Sequence, residues 1–164
     1  MAFHERSFNQ RFAEMGDQAE SIYEDARPLG KTIRFGFRRP KGISFKRMPK
    51  VMRHAPDFYA ESGYLVEVVG LGKDGILKSF KTEKVDALKV WNRIAFLLGV
   101  ELAIFIWNSS QQQYVVLEWK ELLPLIAKAK KKGMETFHEG NEYYPIEWEW
   151  ITTGRKPIKW SLDG

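Results

Sequence analysis

The sequence predicts a mixed α/β fold, a central mixed β-sheet flanked by helices. Three observations carry this reading. The chain opens on an apolar stripe with alternating steps of four and three, the mark of an amphipathic helix. A row of short, β-rich runs comes next, punctuated by Gly and Pro. Helical and strand patterns then take turns to the end. Six Trp and eleven Phe in 164 residues are enough to fill one proper core, and no internal repeat or low-complexity tract divides the chain, so residues 1–164 read as a single domain.

The elements are taken in chain order. Phe8, Phe12, Met15, Ala19, Ile22 and Ala26 form the first stripe, predicting a helix over about Glu5 to Ala26, stopped by Arg27-Pro28-Leu29-Gly30. Thr32 to Arg38 alternates as a strand does, and Pro40, Gly42 and Pro49 break the stretch after it. Asp57-Phe58-Tyr59 and Leu65 to Val69 read as strands. The turn Gly70 to Gly75 and the run Ile76 to Phe80 suggest a hairpin returning on Leu65–Val69. Thr82 suits the N-cap of a helix from Glu83 to about Leu98, with Val85, Leu88, Trp91, Ala95 and Leu98 on its core face and Gly99 at its end. Val100 to Trp107 is a strongly apolar strand, and Tyr114 to Trp119 a further one after a polar turn. Lys120 to Lys132 reads as a helix whose terminal lysines suit its dipole. Glu142 to Ile151 is expected as a last strand, and the tail from Thr152 as irregular.

Composition narrows the function classes. No apolar run approaches the ~18 residues of a membrane span, and the polar start does not resemble a signal peptide, so no membrane partner is expected. The absence of cysteine excludes disulfides and thiolate metal sites and suits a reducing cytoplasm. The net charge of +5 is unevenly spread. Between Arg27 and Pro56 stand ten basic residues and no acid: Arg27, Lys31, Arg34, Arg38, Arg39, Lys41, Lys46, Arg47, Lys50 and Arg53. The rest of the chain nets −5. Phe35, Phe37 and Phe45 interleave these charges. Such a segment is the electrostatic footprint of a polyanion. His54 joins it as a phosphate-contact candidate.

Against that basic stretch, two carboxylates stand out. Glu67 sits in the middle of the apolar run Tyr64-Leu65-Val66-Glu67-Val68-Val69-Gly70, and Asp57 lies ten residues earlier in Arg53-His54-Ala55-Pro56-Asp57-Phe58. A Glu on a buried strand needs a partner, because an isolated buried carboxylate is very costly. A divalent cation held by oxygen ligands and aimed at a phosphate is one such partner. Glu20, beside the first apolar stripe, is a third acid within reach of that site.

A helix bearing a Glu, then Pro-Asp, then a strand bearing a Glu, then a helix and a strand, resembles the core of the PD-(D/E)XK nucleases. The resemblance covers roughly residues 16–107 and rests on Gly16-Asp17-Gln18-Ala19-Glu20, Arg53-His54-Ala55-Pro56-Asp57-Phe58 and Leu65-Val66-Glu67-Val68-Val69. The chain looks like a small phage or Holliday-junction-resolvase-like member. The resemblance implies a restriction-endonuclease-like αβββαβ core, DNA as partner, Mg²⁺ or Mn²⁺ held by Asp57, Glu67 and Glu20, and hydrolysis of phosphodiester bonds, including in branched DNA. By analogy it also implies a homodimer. The aromatic-rich run Tyr143 to Trp150 reads either as a dimer surface or as a strand packing on the core. Host cytoplasm would be the location of a phage-encoded enzyme.

One position departs from the family. Its lysine is expected two residues after Glu67, where Val69 stands. A two-residue hairpin tip at Lys73-Asp74 would set Val69 opposite Lys78, and opposed residues share a face. Lys78 is thus the first candidate for the missing ammonium, with Lys81 and Lys84 as fallbacks. The alternative is a catalytically impaired DNA-binding protein on a nuclease fold. The G-x-G-x-x-G at Gly70 to Gly75 is read as a glycine-rich turn, since no helix opens directly after it to receive a pyrophosphate.

Overall fold

The computed structural model describes residues 8–37, 48–136 and 140–162, with side chains from residue 15 onward. The elements are α1 (Phe8–Ala26), β1 (Thr32–Arg34), α2 (Lys50–Arg53), β2 (Phe58–Ala60), β3 (Tyr64–Gly70), β4 (Ile76–Leu77), α3 (Thr82–Leu97), β5 (Glu101–Asn108), β6 (Gln113–Glu118), α4 (Trp119–Lys132), β7 (Glu135–Thr136), β8 (Glu142–Tyr143), β9 (Ile146–Glu147), α5 (Trp148–Thr152) and β10 (Ile158–Lys159). The main sheet has six strands in the order β1-β2-β3-β5-β6-β10. β3 and β5 run parallel, and the other neighbours pair antiparallel. The fold is therefore mixed α/β, as expected.

A parallel pair needs a crossover, and α3 supplies it between β3 and β5. Strands covered on both faces read as continuous apolar runs, which accounts for Leu65–Gly70 and Leu102–Trp107. The period of two sorts β3 between two cores. Leu65 and Val69 join Leu88, Trp91, Ala95, Leu122 and Ile126 on the α3 and α4 side. Val66 and Val68 join Ala19, Ile22 and Tyr23 of α1 on the other. Glu67 shares its parity with Leu65 and Val69 and so faces the α3 layer. α2 packs against α3, where Trp91 Nε1 donates to the Val51 carbonyl at 2.7 Å.

Three expectations are corrected. β4 does not return on β3: Val69 pairs with Ile106, and β4 pairs with β9. The turn Gly72–Gly75 does close locally, with Gly75 N donating to the Gly72 carbonyl, but β3 already has β2 and β5 on its two edges. Residues 142–151 are not one strand but β8, β9 and the helix α5, separated by Pro145, which offers the ladder no N–H. The tail is not wholly irregular, because β10 adds the last strand of the sheet against β6. Trp160 then donates its indole N–H to Asp25 Oδ2 at 2.8 Å, tying that strand to the end of α1. Among the described residues, no helix is long and apolar enough to cross a membrane.

Candidate active site

Asp57 and Glu67 are brought together by strand register. β2 and β3 pair Phe58 with Val66, Tyr59 with Leu65 and Ala60 with Tyr64. One step further along the same register puts Asp57 across from Glu67, and directly opposed residues share a face. Asp57 Oδ2 also accepts the Val68 N–H at 2.8 Å, which fixes its carboxylate beside β3. Glu67 is 4% exposed.

The cation beside this pair is Lys84. It lies in the first turn of α3, directly over the face of β3 that carries Glu67, and its Nζ stands 2.6 Å from Glu67 Oε2. Lys78 does not reach the site. Its ammonium binds Asp74 at 2.7 Å, because the hairpin register that would have aimed it at β3 does not form. Lys81 is the N-cap of α3, forms a β-bridge with Tyr143 and lines the same cleft. Of the three lysines, one of the fallbacks contacts a site carboxylate. The sequence signal for it was the first turn of a helix following the acidic strand, which aims a side chain back at that strand's face.

Glu20 reaches the cluster from the α1 side. Arg34 of β1 holds it, with Nη2 3.1 Å from Glu20 Oε2. Asp57 and Glu67 thus share one face with Lys84, and the Glu20–Arg34 ion pair lies near enough for the Glu20 charge to act on Asp57 and Lys84.

The electrostatics bind these groups into one unit. Burial, then the Glu67 charge, pushes the Asp57 carboxyl well above the usual carboxylate range. The Val68 N–H and Lys84 pull the other way without prevailing, and Glu20 adds to the upward push. Burial would lower the Lys84 ammonium, yet Glu67 foremost, with Asp57 and Glu20 behind it, carries it above the ordinary lysine value. The Asp57 carboxyl therefore holds its proton more readily than an ordinary carboxylate, and the Lys84 ammonium holds its own more tightly than an ordinary lysine.

The rim of the site is basic. A cleft of about 270 Å³ opens beside it, lined by His54, Val69, Gly70, Lys81, Glu83 and Lys84 among others. His54 Nε2 stands 3.4 Å from Glu83 Oε1, and Lys50 Nζ 3.6 Å from Glu83 Oε2. Burial first, then Lys84, lowers the His54 pKa, against the upward pull of Glu83. Arg53 Nε is buried with no hydrogen-bond partner among the described residues. Phe35 and Gly36 both donate their N–H to the Asp57 carbonyl, at 2.9 and 3.2 Å, so the basic segment runs directly past the site. A Cβ on Gly36 would lie 2.6 Å from the Pro56 carbonyl oxygen, and only glycine permits this approach. Lys31 and Lys50 are exposed, whereas Arg34 is engaged by Glu20. Arg38, Arg39, Lys41, Lys46 and Arg47 lie outside the described residues, as does Phe45.

Among the described residues, no three His, Asp or Glu side chains converge as a ready-made metal cage. The donor chemistry nevertheless fits a hard divalent cation, since Glu67 on β3 and Asp57 at the entry to β2 present carboxylates from opposed positions of one sheet face. Compared with protein-family models, curated proteins and solved structures, the chain matches none.

Proposed function

We propose that this chain is a metal-dependent endonuclease that hydrolyses DNA phosphodiester bonds, on a restriction-endonuclease-like core. The observation that carries the reading is the opposition of Asp57 and Glu67 across the β2–β3 register, with Lys84 at 2.6 Å from Glu67, beside a cleft that Lys81 and Lys84 line. The order α1, β1-β2-β3 meander, α3 crossover and parallel β5 supports it, since this is the αβββαβ arrangement that the sequence resembles.

In this reading Asp57 and Glu67 hold the cation, Mg²⁺ or Mn²⁺, with Glu20 assisting. The bound ion supplies a water of lowered pKa and positive charge facing the phosphate. Lys84 takes the place of the lysine missing at Val69, and its ammonium stabilises charge developing on the phosphoryl oxygens. Lys31, Lys50, Arg53 and His54 would meet the phosphate backbone, giving affinity without sequence reading.

The alternative is a DNA-binding protein that has lost catalysis on this fold. The Lys84–Glu67 ion pair favours it, because it engages a carboxylate that the metal requires. One experiment separates the two. Supercoiled, linear and four-way-junction DNA are incubated with the protein in Mg²⁺, in Mn²⁺ and in EDTA. Metal-dependent cutting that disappears in Asp57→Ala and Glu67→Ala supports the nuclease. Tight binding with no cutting of any substrate supports the alternative, and cutting that survives both substitutions overturns the site.

A further inference from the structure

Phe35 stands in the same row as the two carboxylates. β1 and β2 pair Thr32 with Ala60, Ile33 with Tyr59 and Arg34 with Phe58. The next step of that register sets Phe35 across from Asp57, just as the β2–β3 register sets Asp57 across from Glu67. Phe35, Asp57 and Glu67 therefore lie side by side on one face of the sheet. At the usual strand spacing, the Phe35 backbone is about 5 Å from that of Asp57 and about 10 Å from that of Glu67. A side-chain contact agrees with this face. The Phe35 ring meets Trp91 edge-on, with centroids 5.5 Å apart and planes at 89°. Trp91 follows Lys84 by seven residues on α3, so both project from one side of that helix.

The ring is held in place, yet it is open to solvent. The two successive N–H groups of Phe35 and Gly36 on the one Asp57 carbonyl make a β-bulge. Bulges sit at sheet edges and beside active sites, where they re-aim a side chain, and β1 is an edge strand. Trp91, the ring's neighbour, is buried and fixed by its own bond to the Val51 carbonyl. Phe35 itself is 41% exposed. One edge of the ring is thus anchored, while much of the side chain faces water beside a candidate metal ligand. The carboxylates and Lys84 make no use of this aromatic surface.

Charge selects the occupant. Phe35 lies inside the stretch from Arg27 to Pro56, which holds ten basic residues and no acid. Lys31 is exposed just before β1, and Lys50 is exposed on α2, the element that fixes Trp91. An apolar protein partner would cover the ring and leave those cations unused. A strand of nucleic acid uses both, its phosphates meeting the cations and a base meeting the ring. In continuous duplex each base is already stacked between its neighbours, so a surface ring can stack only on a base that is unpaired or drawn out of the helix. We infer that Phe35 stacks on an unpaired base beside the Asp57–Glu67 site, and that the substrate class is DNA that is single-stranded at that point. This rests on the nucleic-acid partner of the reading above and does not depend on cutting.

The test is fluorescence anisotropy of the full chain in EDTA, where metal-dependent cutting is silent. The probes are a labelled DNA single strand of mixed sequence and the blunt duplex of the same sequence. Phe35→Leu keeps the apolar bulk without a flat face, Phe35→Tyr keeps the face, and circular dichroism melts check that both fold as the parent does. Phe35→Leu should raise the single-strand Kd about 5–150-fold, the range for losing one stacked base, and leave the duplex Kd within about two-fold. Phe35→Tyr should bind the single strand as the parent does. An unchanged single-strand Kd in Phe35→Leu overturns the inference and leaves the ring to a protein partner. An equal loss on both probes overturns it, as does a tyrosine variant that binds no better than the leucine one. A parent that binds neither probe overturns it together with the nucleic-acid reading. The single-strand effect without any cutting in Mg²⁺ or Mn²⁺ supports the inference and removes the nuclease alone.

Discussion

Lys84 and Glu67 stand 2.6 Å apart across the junction of α3 and β3, the lysine supplying the counter-charge that a buried strand glutamate requires. Glu67 is nearly inaccessible, so removing its partner leaves an uncompensated buried charge. Lys84→Met is expected to cost about 3–5 kcal/mol of stability in metal-free buffer. The double variant Glu67→Gln/Lys84→Met should recover most of that loss. Urea unfolding of the parent, Glu67→Gln, Lys84→Met and the double variant measures both terms. A loss below about 1 kcal/mol for the single variant would mean that the pair does not form.

Asp57 is expected to weaken the fold that carries it. A carboxyl whose pKa is raised on folding binds its proton more tightly in the folded chain, so stability falls as pH climbs from the ordinary carboxylate range through the folded value. Asp57→Asn keeps an oxygen for the Val68 N–H and removes the charge. It should melt at a higher temperature than the parent at neutral pH without metal, and the gap should close as pH falls below the ordinary carboxylate range. Saturating Mg²⁺ or Mn²⁺ should stabilise the parent by about 2.7 kcal/mol at a hundred-fold excess over Kd, and the variant much less. Equal melting shifts in both proteins would remove Asp57 from the metal site.

His54 gives the opposite pH sign. Its folded pKa is lowered, so the unfolded chain takes up the proton first as pH drops. The stability that depends on the neutral ring is fully present above the ordinary histidine value and is lost as pH falls toward the folded one. His54→Gln should therefore show a flatter stability profile than the parent on the acid side of pH ~6.5. Parallel profiles would contradict this.

Cutting assays distinguish the lysines. If the nuclease reading holds, Lys84→Ala should lower the rate about 10²–10³-fold, the usual scale for losing one electrostatic donor at a developing charge. Lys78→Ala should leave it within a few-fold, since Lys78 is occupied by Asp74 on another part of the surface. The reverse result would restore Lys78 to the site.

The carboxylates were legible in the sequence because each broke a local rule. Glu67 interrupts an apolar run, and Asp57 comes after a proline just before a strand. Their opposition arises from a short antiparallel register of neighbouring strands, which local patterning can anticipate. Lys78 failed because β4 finds its partner in β9, almost seventy residues later, beyond the reach of any local hairpin. The order of the long strands and helices was also readable, since α3, β5, β6 and α4 carry strong periodicity. The segment after Glu142 was not: its alternating Trp and Glu suit a strand, but Trp148 and Ile151 are three apart and both buried, which is a helical spacing. The exposure of Leu98 was hidden because it fits the core stripe of α3 by periodicity alone.

The hydrogen bond from Trp160 to Asp25 bridges 135 positions of chain. Contacts so distant in sequence close a long loop, and such non-local pairings slow folding. The groups gathered around Glu67 lie between Glu20 and Lys84 in the chain. β10, by contrast, is a two-residue edge strand held to the rest of the fold by its pairing with β6 and by this long-range bond. Native-state hydrogen exchange should then find the amides of β10 opening well before those of β3 and β5.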